Sequence, residues 1–202
     1  MEIFVTSDFH FGHENKHGGI IKLCNRPFSL IEEHDAKLVE NYNSLVGKND
    51  IVYILGDFAW KNHVNYAKQL KGNKILIKGE HDRKMRRDAI NQFSEVYDIL
   101  FRIINDKQII FCHWPLSSWQ GFYHQSWHFH GHSHAKRLEE PYSLSCDVGV
   151  DAWDYFPVPF EVLSEKMKNK IEGFKNRKFL DSSELEERTK KLREENKKYF
   201  TP

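Results

Sequence analysis

Five short polar motifs stand in order along the chain, each after an apolar run. They are Asp8-Phe9-His10, Gly56-Asp57, Gly79-Glu80-His81-Asp82, His113 and Gly131-His132-Ser133-His134. An Asp and a His two apart on a segment leaving a strand can both turn toward one ion. Carboxylates mixed with several imidazoles suit borderline divalent metals such as Mn, Fe, Ni or Zn; thiolate sites and all-oxygen calcium sites use other ligands. Taken singly, each motif is an ordinary polar group at a strand end, and His124, His128 and His130 fit partly buried rings. Together, the five point to a metal centre. Two divalent ions about 3.5–4 Å apart acidify a shared water and clamp both oxygens of an in-line displacement at phosphorus.

The elements that must carry these motifs follow from hydrophobic periodicity. Residues 1–7 read as a buried first strand, and the continuous apolar run 51–55 as a strand covered on both faces. Ser29-Leu30-Ile31-Glu32 has the form of a capping box. It opens a helix with Leu38, Val39, Tyr42, Leu45 and Val46 on one side and Gly47 as its stop. Further helices are expected over 62–70 and 83–93, and from Pro159-Phe160 to about residue 171. Strands are expected over 74–77, 96–104, 108–112 and 142–150, with a polar turn at Asn105-Asp106-Lys107. Strands and helices alternate early and strands cluster late. That is an α/β chain with a mixed sheet or two packed sheets, its ligands at the C-terminal strand ends.

Composition excludes several classes. With 40% hydrophobic and 29% charged residues, the chain is a folded domain rather than a disordered one. Thirty Lys and Arg against 29 Asp and Glu leave +1 overall. The last 39 residues carry +4, so residues 1–163 carry −3. Such a domain is no polybasic binder, and no stable nucleic-acid partner is expected. No apolar run approaches a membrane span and the polar Met1-Glu2 start lacks a signal-peptide pattern, so no membrane association is expected. Cys24, Cys112 and Cys146 are odd in number and widely spaced, which favours reduced thiols in a cytoplasmic setting. The tail from residue 181 reads as a charged peripheral helix. The expected division is residues 1–172 as the domain and 173–202 as its extension.

The five motifs resemble the pattern of the calcineurin-like metallophosphoesterases: D-x-H, G-D, G-N-H-D, a lone H and G-H-x-H. The resemblance covers about residues 1–165. The runs Asp8 to Asn15 (DFHFGHEN), Cys24-Asn25-Arg26-Pro27-Phe28 and Val150-Asp151-Ala152-Trp153-Asp154-Tyr155 are similar to the small bacterial and phage members, with a small insertion at residues 16–19. It implies a two-sheet α/β/β/α sandwich and a metal-dependent phosphoesterase. Carried over by position, Asp8, His10, Asp57 and His134 would hold one divalent ion. Asp57, residue 80, His113 and His132 would hold the second, with Asp57 shared. His81 and Asp82 would be catalytic, His81 as general acid or charge stabiliser beside the phosphate. The family has Asn where this chain has Glu80. The added charge and longer arm are expected to retune or impair the site, so a catalytically impaired phosphate-binding member is the alternative reading and a nuclease a third.

For the substrate, a small phosphorylated molecule of nucleotide type is expected. Six aromatics lie between His113 and Gly131. Of these, Trp119 and Tyr123 are candidates for stacking on a base, while Trp127 and Phe129 fit a small core equally well. Arg26 and Arg83 are candidate phosphate contacts; Arg26 can equally pair with a structural carboxylate.

Overall fold

The computed structural model describes residues 1–137, 140, 142–175 and 182–197. Its elements in chain order are β1 (Ile3–Thr6), α1 (Gly19–Leu23), α2 (Ile31–Leu45), β2 (Ile51–Ile54), α3 (His63–Gln69) and β3 (Asn73–Ile77). Then follow α4 (Arg87–Ile90), β4 (Glu95–Tyr97), β5 (Ile99–Ile104), β6 (Lys107–Cys112) and β7 (Trp127–His130). The chain continues through β8 (Ser145–Asp147), β9 (Val158–Pro159), α5 (Phe160–Lys175) and α6 (Ser182–Lys197). One sheet has the order β4-β3-β2-β1-β9 and the other β5-β6-β7-β8. In the first, β1 to β4 are parallel and β9 is antiparallel; in the second, β6, β7 and β8 are parallel. Two sheets flanked by helices is the architecture the motifs implied.

The period-two alternation of strand side chains divides the core in two. Val5, Tyr53, Ile75 and Ile77 face the second sheet, where they meet Leu100, Ile109, Phe111, Trp127 and Phe129. The Tyr53 and Phe111 rings stack there with centroids 4.4 Å apart. The alternate residues Phe4, Val52, Ile54 and Leu76 pack with Leu38 and Tyr42 of α2 and Ala67 of α3. Burial on both faces is why residues 51–55 form an unbroken apolar run.

Several boundaries differ from the sequence expectation. The strand expected over 96–104 is two strands, because the chain passes from one sheet to the other at Asp98, between β4 and β5. Asn105 and Asp106 both have positive φ (49° and 62°), the backbone of a tight I′-type hairpin turn. The expected capping box is replaced by a bond from the Ser29 backbone N–H to the Glu33 carboxylate, 3.0 Å; Leu30 occupies the N-cap. Residues 83–93 hold only a 3-10 turn (His81–Lys84) and the short α4. Of the expected strand 142–150, only Ser145–Asp147 joins a sheet as a strand, and Gly149 adds an isolated parallel bridge to Ser7. Helix α5 runs on to Lys175, past its expected end near residue 171, and its Phe174 belongs to the inter-sheet core. The expected tail helix is α6, while residues 176–181 and 198–202 lie outside the described residues.

Because the Phe111 ring fills the space between the sheets, Phe111→Ala is expected to cost about 3–5 kcal/mol of stability. Chemical denaturation would read this as a lower midpoint at an unaltered slope.

Candidate metal centre

The parallel strands β1, β2 and β3 end at one edge, and β6 and β7 end beside them. Asp8 follows β1, Asp57 follows β2, His81 follows β3, His113 follows β6 and the His132 to His134 loop follows β7. The edge is knitted together by backbone bonds across the loops. The Asp8 N–H reaches the Gly56 carbonyl at 3.0 Å, that of His10 the Asp57 carbonyl at 2.9 Å, and that of Gly131 the His113 carbonyl at 3.0 Å. Asp8, His10, Asp57, His132 and His134 all adopt positive φ between 48° and 67°, a conformation that costs free energy at a non-glycine residue. Strain of this kind, repeated at five would-be ligands, marks a site the surrounding fold over-determines. Gly79 and Gly131 make the close approach possible. A Cβ on Gly79 would strike the Asp57 carboxylate, and one on Gly131 would strike Ser7 Oγ and Asp8 Oδ2.

The side chains converge. Asp57 Oδ2 lies 3.5 Å from His10 Nε2, 3.5 Å from His113 Nε2 and 3.7 Å from His81 Nε2. Three overlapping groups have ligand atoms close enough to share an ion: Asp8 with His10 and His134; His10 with Asp57 and His81; Asp57 with His113 and His132. Other bonds leave one donor atom free on each inner residue. Asp8 Oδ2 accepts the His132 N–H (2.9 Å) and Asp57 Oδ1 accepts the His81 N–H (3.0 Å). His113 Nδ1 donates to the Leu55 carbonyl (2.7 Å), and His134 Nδ1 pairs with Asp151 (2.7 Å). In the neutral rings these bonds keep the proton on Nδ1, and the Nε2 lone pair then faces inward. Asp8 Oδ1, His10 Nε2 and His113 Nε2 are then buried polar atoms without a hydrogen-bond partner. Buried polar atoms are costly when unpaired. Such atoms, set among the carboxylates and imidazoles of these overlapping groups, fit a divalent metal.

The electrostatics carry the same message. Burial first, then the neighbouring Asp57 and Asp147 charges, pushes Asp8 up to about 7 against the pull of His134 and the His132 N–H. Burial, with the Arg26 charge and other rings behind it, holds His10 well below the ordinary histidine value. His134 is opposed by burial, yet its bond to Asp151 and the Asp8 charge lift it to about 10. Neutral His10 is ready to ligate, and a cation would relieve the charge stress on Asp8.

The structure sorts the remaining candidates. Asp82 is not positioned for chemistry. It is 1% exposed, and its carboxylate accepts the N–H groups of Asp57 (2.8 Å), Gly79 (2.8 Å) and Phe58 (3.1 Å). It therefore ties two ligand loops together as a positioning residue. Arg26 is likewise no phosphate contact: it is 3% exposed and grips Asp151 through two bonds of 2.8 and 2.7 Å. It also donates to the carbonyls of Asp8 (2.7 Å) and Phe9 (3.0 Å). Glu80 joins none of the three ligand groups; its side chain is exposed along an outer cleft with Arg83 and Lys84. Arg83 is exposed at the rim, with its guanidinium 5.7 Å from the centre of the Trp114 ring beside His113.

The two aromatics expected to stack on substrate are not brought to the centre. Trp119 Nε1 donates to Ser126, and its ring packs on Phe122 and His128. Tyr123 is exposed in the 3-10 turn just ahead of β7, at the strand end opposite the one that leads to His132. Three other residues escaped the sequence reading. Asp151 orients His134, and His13 Nδ1 lies 3.2 Å from His10 Nδ1. Trp60 stacks flat on His13 with centroids 4.3 Å apart. The signal for Asp151 was the Asp in Val150-Asp151-Ala152-Trp153; nothing in the sequence pairs it with residue 26.

Comparison with known proteins agrees with this geometry. The family model for calcineurin-like phosphoesterases matches residues 1–194. The chain belongs to the calcineurin-like phosphoesterase family. A protein of Methanocaldococcus jannaschii described as uncharacterised is 36% identical over 174 residues, 80% of this chain and 89% of that protein. The gene 66 protein of Mycobacterium phage L5 is 27% identical, covering 73% and 86%. Among solved structures, a protein of unknown function from Aquifex aeolicus superposes with a TM-score of 0.67 at 25% identity, over 82% of this chain and 98% of that one. Members of this family are metal-dependent, and this chain carries Asp and His groups whose ligand atoms lie close enough together to hold such an ion.

Adding Mn²⁺ to metal-free protein is expected to raise the unfolding midpoint, with about 2.7 kcal/mol of stabilisation at a hundredfold excess over Kd. Asp57→Asn should abolish that rise and nearly all activity. Asp151→Asn, which loosens His134, should weaken metal binding about 10–100-fold, read by titration with a competing chelator.

Proposed function

We propose that this protein hydrolyses phosphate esters of nucleotide type with two divalent ions of the Mn, Fe, Ni or Zn group. The observation that carries the reading is that the unpartnered buried Nε2 atoms of His10 and His113 each lie 3.5 Å from Asp57 Oδ2, with the equally unpartnered Asp8 Oδ1 4.0 Å from His10 Nε2. Asp8, His10, Asp57 and His134 would hold one ion, and Asp57 with His113 and His132 the other. Bound there, divalent cations supply Lewis acidity and positive charge for the phosphate oxygens.

The chain's own residues supply the rest. His81 stands between the ligands and the outer cleft, half-buried, its backbone N–H held by Asp57 Oδ1. From there its ring can give a proton to the leaving oxygen as the P–O bond breaks and water supplies the hydroxyl to phosphorus. Arg83 at the rim is placed to meet a further anionic group of the substrate. No helix among the described residues is long and apolar enough to cross a membrane, and all three cysteines are free thiols. We place the enzyme in a reducing, cytoplasmic setting, acting on a small phosphorylated molecule without a stable nucleic-acid partner.

His81→Ala should keep its metal content while kcat falls about 10²–10⁴-fold, the range of a lost general acid. A nitrophenyl ester should suffer less than an ester with an alcohol leaving group. Equal losses on both would remove the proton-donor role. At Glu80, Glu80→Asn should raise turnover about 10-fold, the scale of changes around a metal, with Glu80→Gln as the control for charge alone. A rise in both variants assigns the effect to charge repulsion at the rim. A rise in Glu80→Asn alone assigns it to the shorter amide.

A further inference from the structure

Beside the metal centre lies a cleft of about 560 Å³ lined by Trp60, His63, Glu80, His81, Arg83 and Lys84. A second cleft of about 500 Å³ shares Trp60, His63 and Lys84 with it and runs on past Lys61, Lys68 and Arg86. The two form one groove that starts at His81. Five basic side chains line it against the acidic Glu80 and Asp88, a local excess of +3. Residues 1–163 as a whole carry −3. The positive charge is therefore gathered along the groove, with Arg83 and Lys84 at its head beside His81, an arrangement that draws in an anionic ligand.

The groove also has an aromatic floor. Trp60 is held on one face by the His13 ring, tilted only 3° from it, and its centroid lies 5.1 Å from that of His81. Nearly half of its surface, 47%, is nevertheless exposed. A tryptophan already fixed on one face and open to solvent loses little freedom when a planar ring covers the other. Arg83 and Lys84 line the same cleft with charges suited to phosphate oxygens.

We infer that this groove is the leaving-group subsite and that it takes a phosphorylated nucleoside, with the base on Trp60 and its phosphate between Arg83 and Lys84. The inference rests on the phosphoesterase reading for its direction, since His81 at the groove's head gives its proton to the leaving oxygen. It assigns the substrate class to a nucleotide ester whose leaving group itself bears a phosphate. The aromatic contact comes from the loop after Asp57, in place of the Trp119 and Tyr123 stretch.

Two measurements on the metal-loaded protein test this. The first is calorimetric binding of ADP against inorganic phosphate; the second is hydrolysis of bis-(p-nitrophenyl) phosphate. ADP is expected to bind about 10-fold or more tightly than phosphate, the scale of one stacking contact. Trp60→Ala should close most of that gap and Trp60→Phe should restore it. Lys84→Ala should weaken ADP more than phosphate. Equal binding of ADP and phosphate by the parent protein, or a gap that survives Trp60→Ala, would overturn the subsite. If the nitrophenyl diester is cleaved but no ADP gap is found, the subsite fails and the phosphoesterase reading stands. If a Trp60-dependent gap is found without cleavage, the ligand class stands and the catalytic reading fails.

Discussion

The structure is organised around one buried carboxylate. Asp57 is 3% exposed and has three imidazole nitrogens within 3.7 Å of a single oxygen. A carboxylate so placed is unfavourable unless it is compensated, and most of the local sequence supplies that compensation. Asp82 holds the Asp57 and Phe58 N–H groups and that of Gly79. Gly79 has no side chain because the Asp57 carboxylate occupies the place a Cβ would need. Hydrogen bonds at the far atoms of Asp57, Asp8, His113 and His134 face the remaining donors inward. What results is a cluster of inward-facing oxygen and nitrogen atoms of the type that binds a divalent cation.

The same demand explains a chain of contacts reaching well away from the ligands. His134 is aimed by Asp151, and Asp151 is clamped by Arg26. Arg26 also holds the Asp8 and Phe9 carbonyls and lies 2.6 Å from His34 Nε2. The His34 ring pairs in turn with Asp35, which accepts the Gly12 N–H and the Tyr66 hydroxyl. The first ligand loop, α2 and the loop before β9 are thus coupled through one buried polar network. Such a network is stable only when all of its members are satisfied. That is why so many charged residues stand at low exposure in a domain of this size.

How legible this was in the sequence depended on whether a feature was local. The motif Asp8-Phe9-His10, the Gly56-Asp57 pair and the Gly131 to His134 turn are short, and their order after apolar runs was enough to place them at one sheet edge. The hairpin at Asn105-Asp106 was legible for the same reason. The sheet switch at Asp98 was not, because an apolar strand pattern is the same in either sheet. Arg26 is charged and surrounded by loop residues, and the one carboxylate that neutralises it in its buried place is Asp151, 125 positions away. Trp119 and Tyr123 follow a ligand in sequence, yet β6 and β7 are parallel, so the connection must travel back to the far end of the sheet before β7 begins. Closeness to His113 along the chain therefore carried no closeness in space.

Glu80 shows how that distinction bears on function. The family resemblance puts it in a ligand position, where a shift of the ion would accommodate one extra methylene. Instead the backbone at Glu80 is already helical, with φ −66° and ψ −42°, and leads straight into the 3-10 turn that presents His81. Its neighbours fix that geometry: the Gly79 N–H is bonded to Asp82 and the His81 N–H to Asp57. With both flanking amides committed, the residue between them has its side chain exposed in the groove with Trp60 and Lys84. A carboxylate there adds negative charge to the rim that a phosphate must cross, while the ligands Asp8, His10, Asp57 and His113 keep their arrangement. On the proposed reading, one loop thus carries two separate properties: the capacity to hold metal, which belongs to the buried residues, and the charge that meets an incoming phosphate, which belongs to the exposed one.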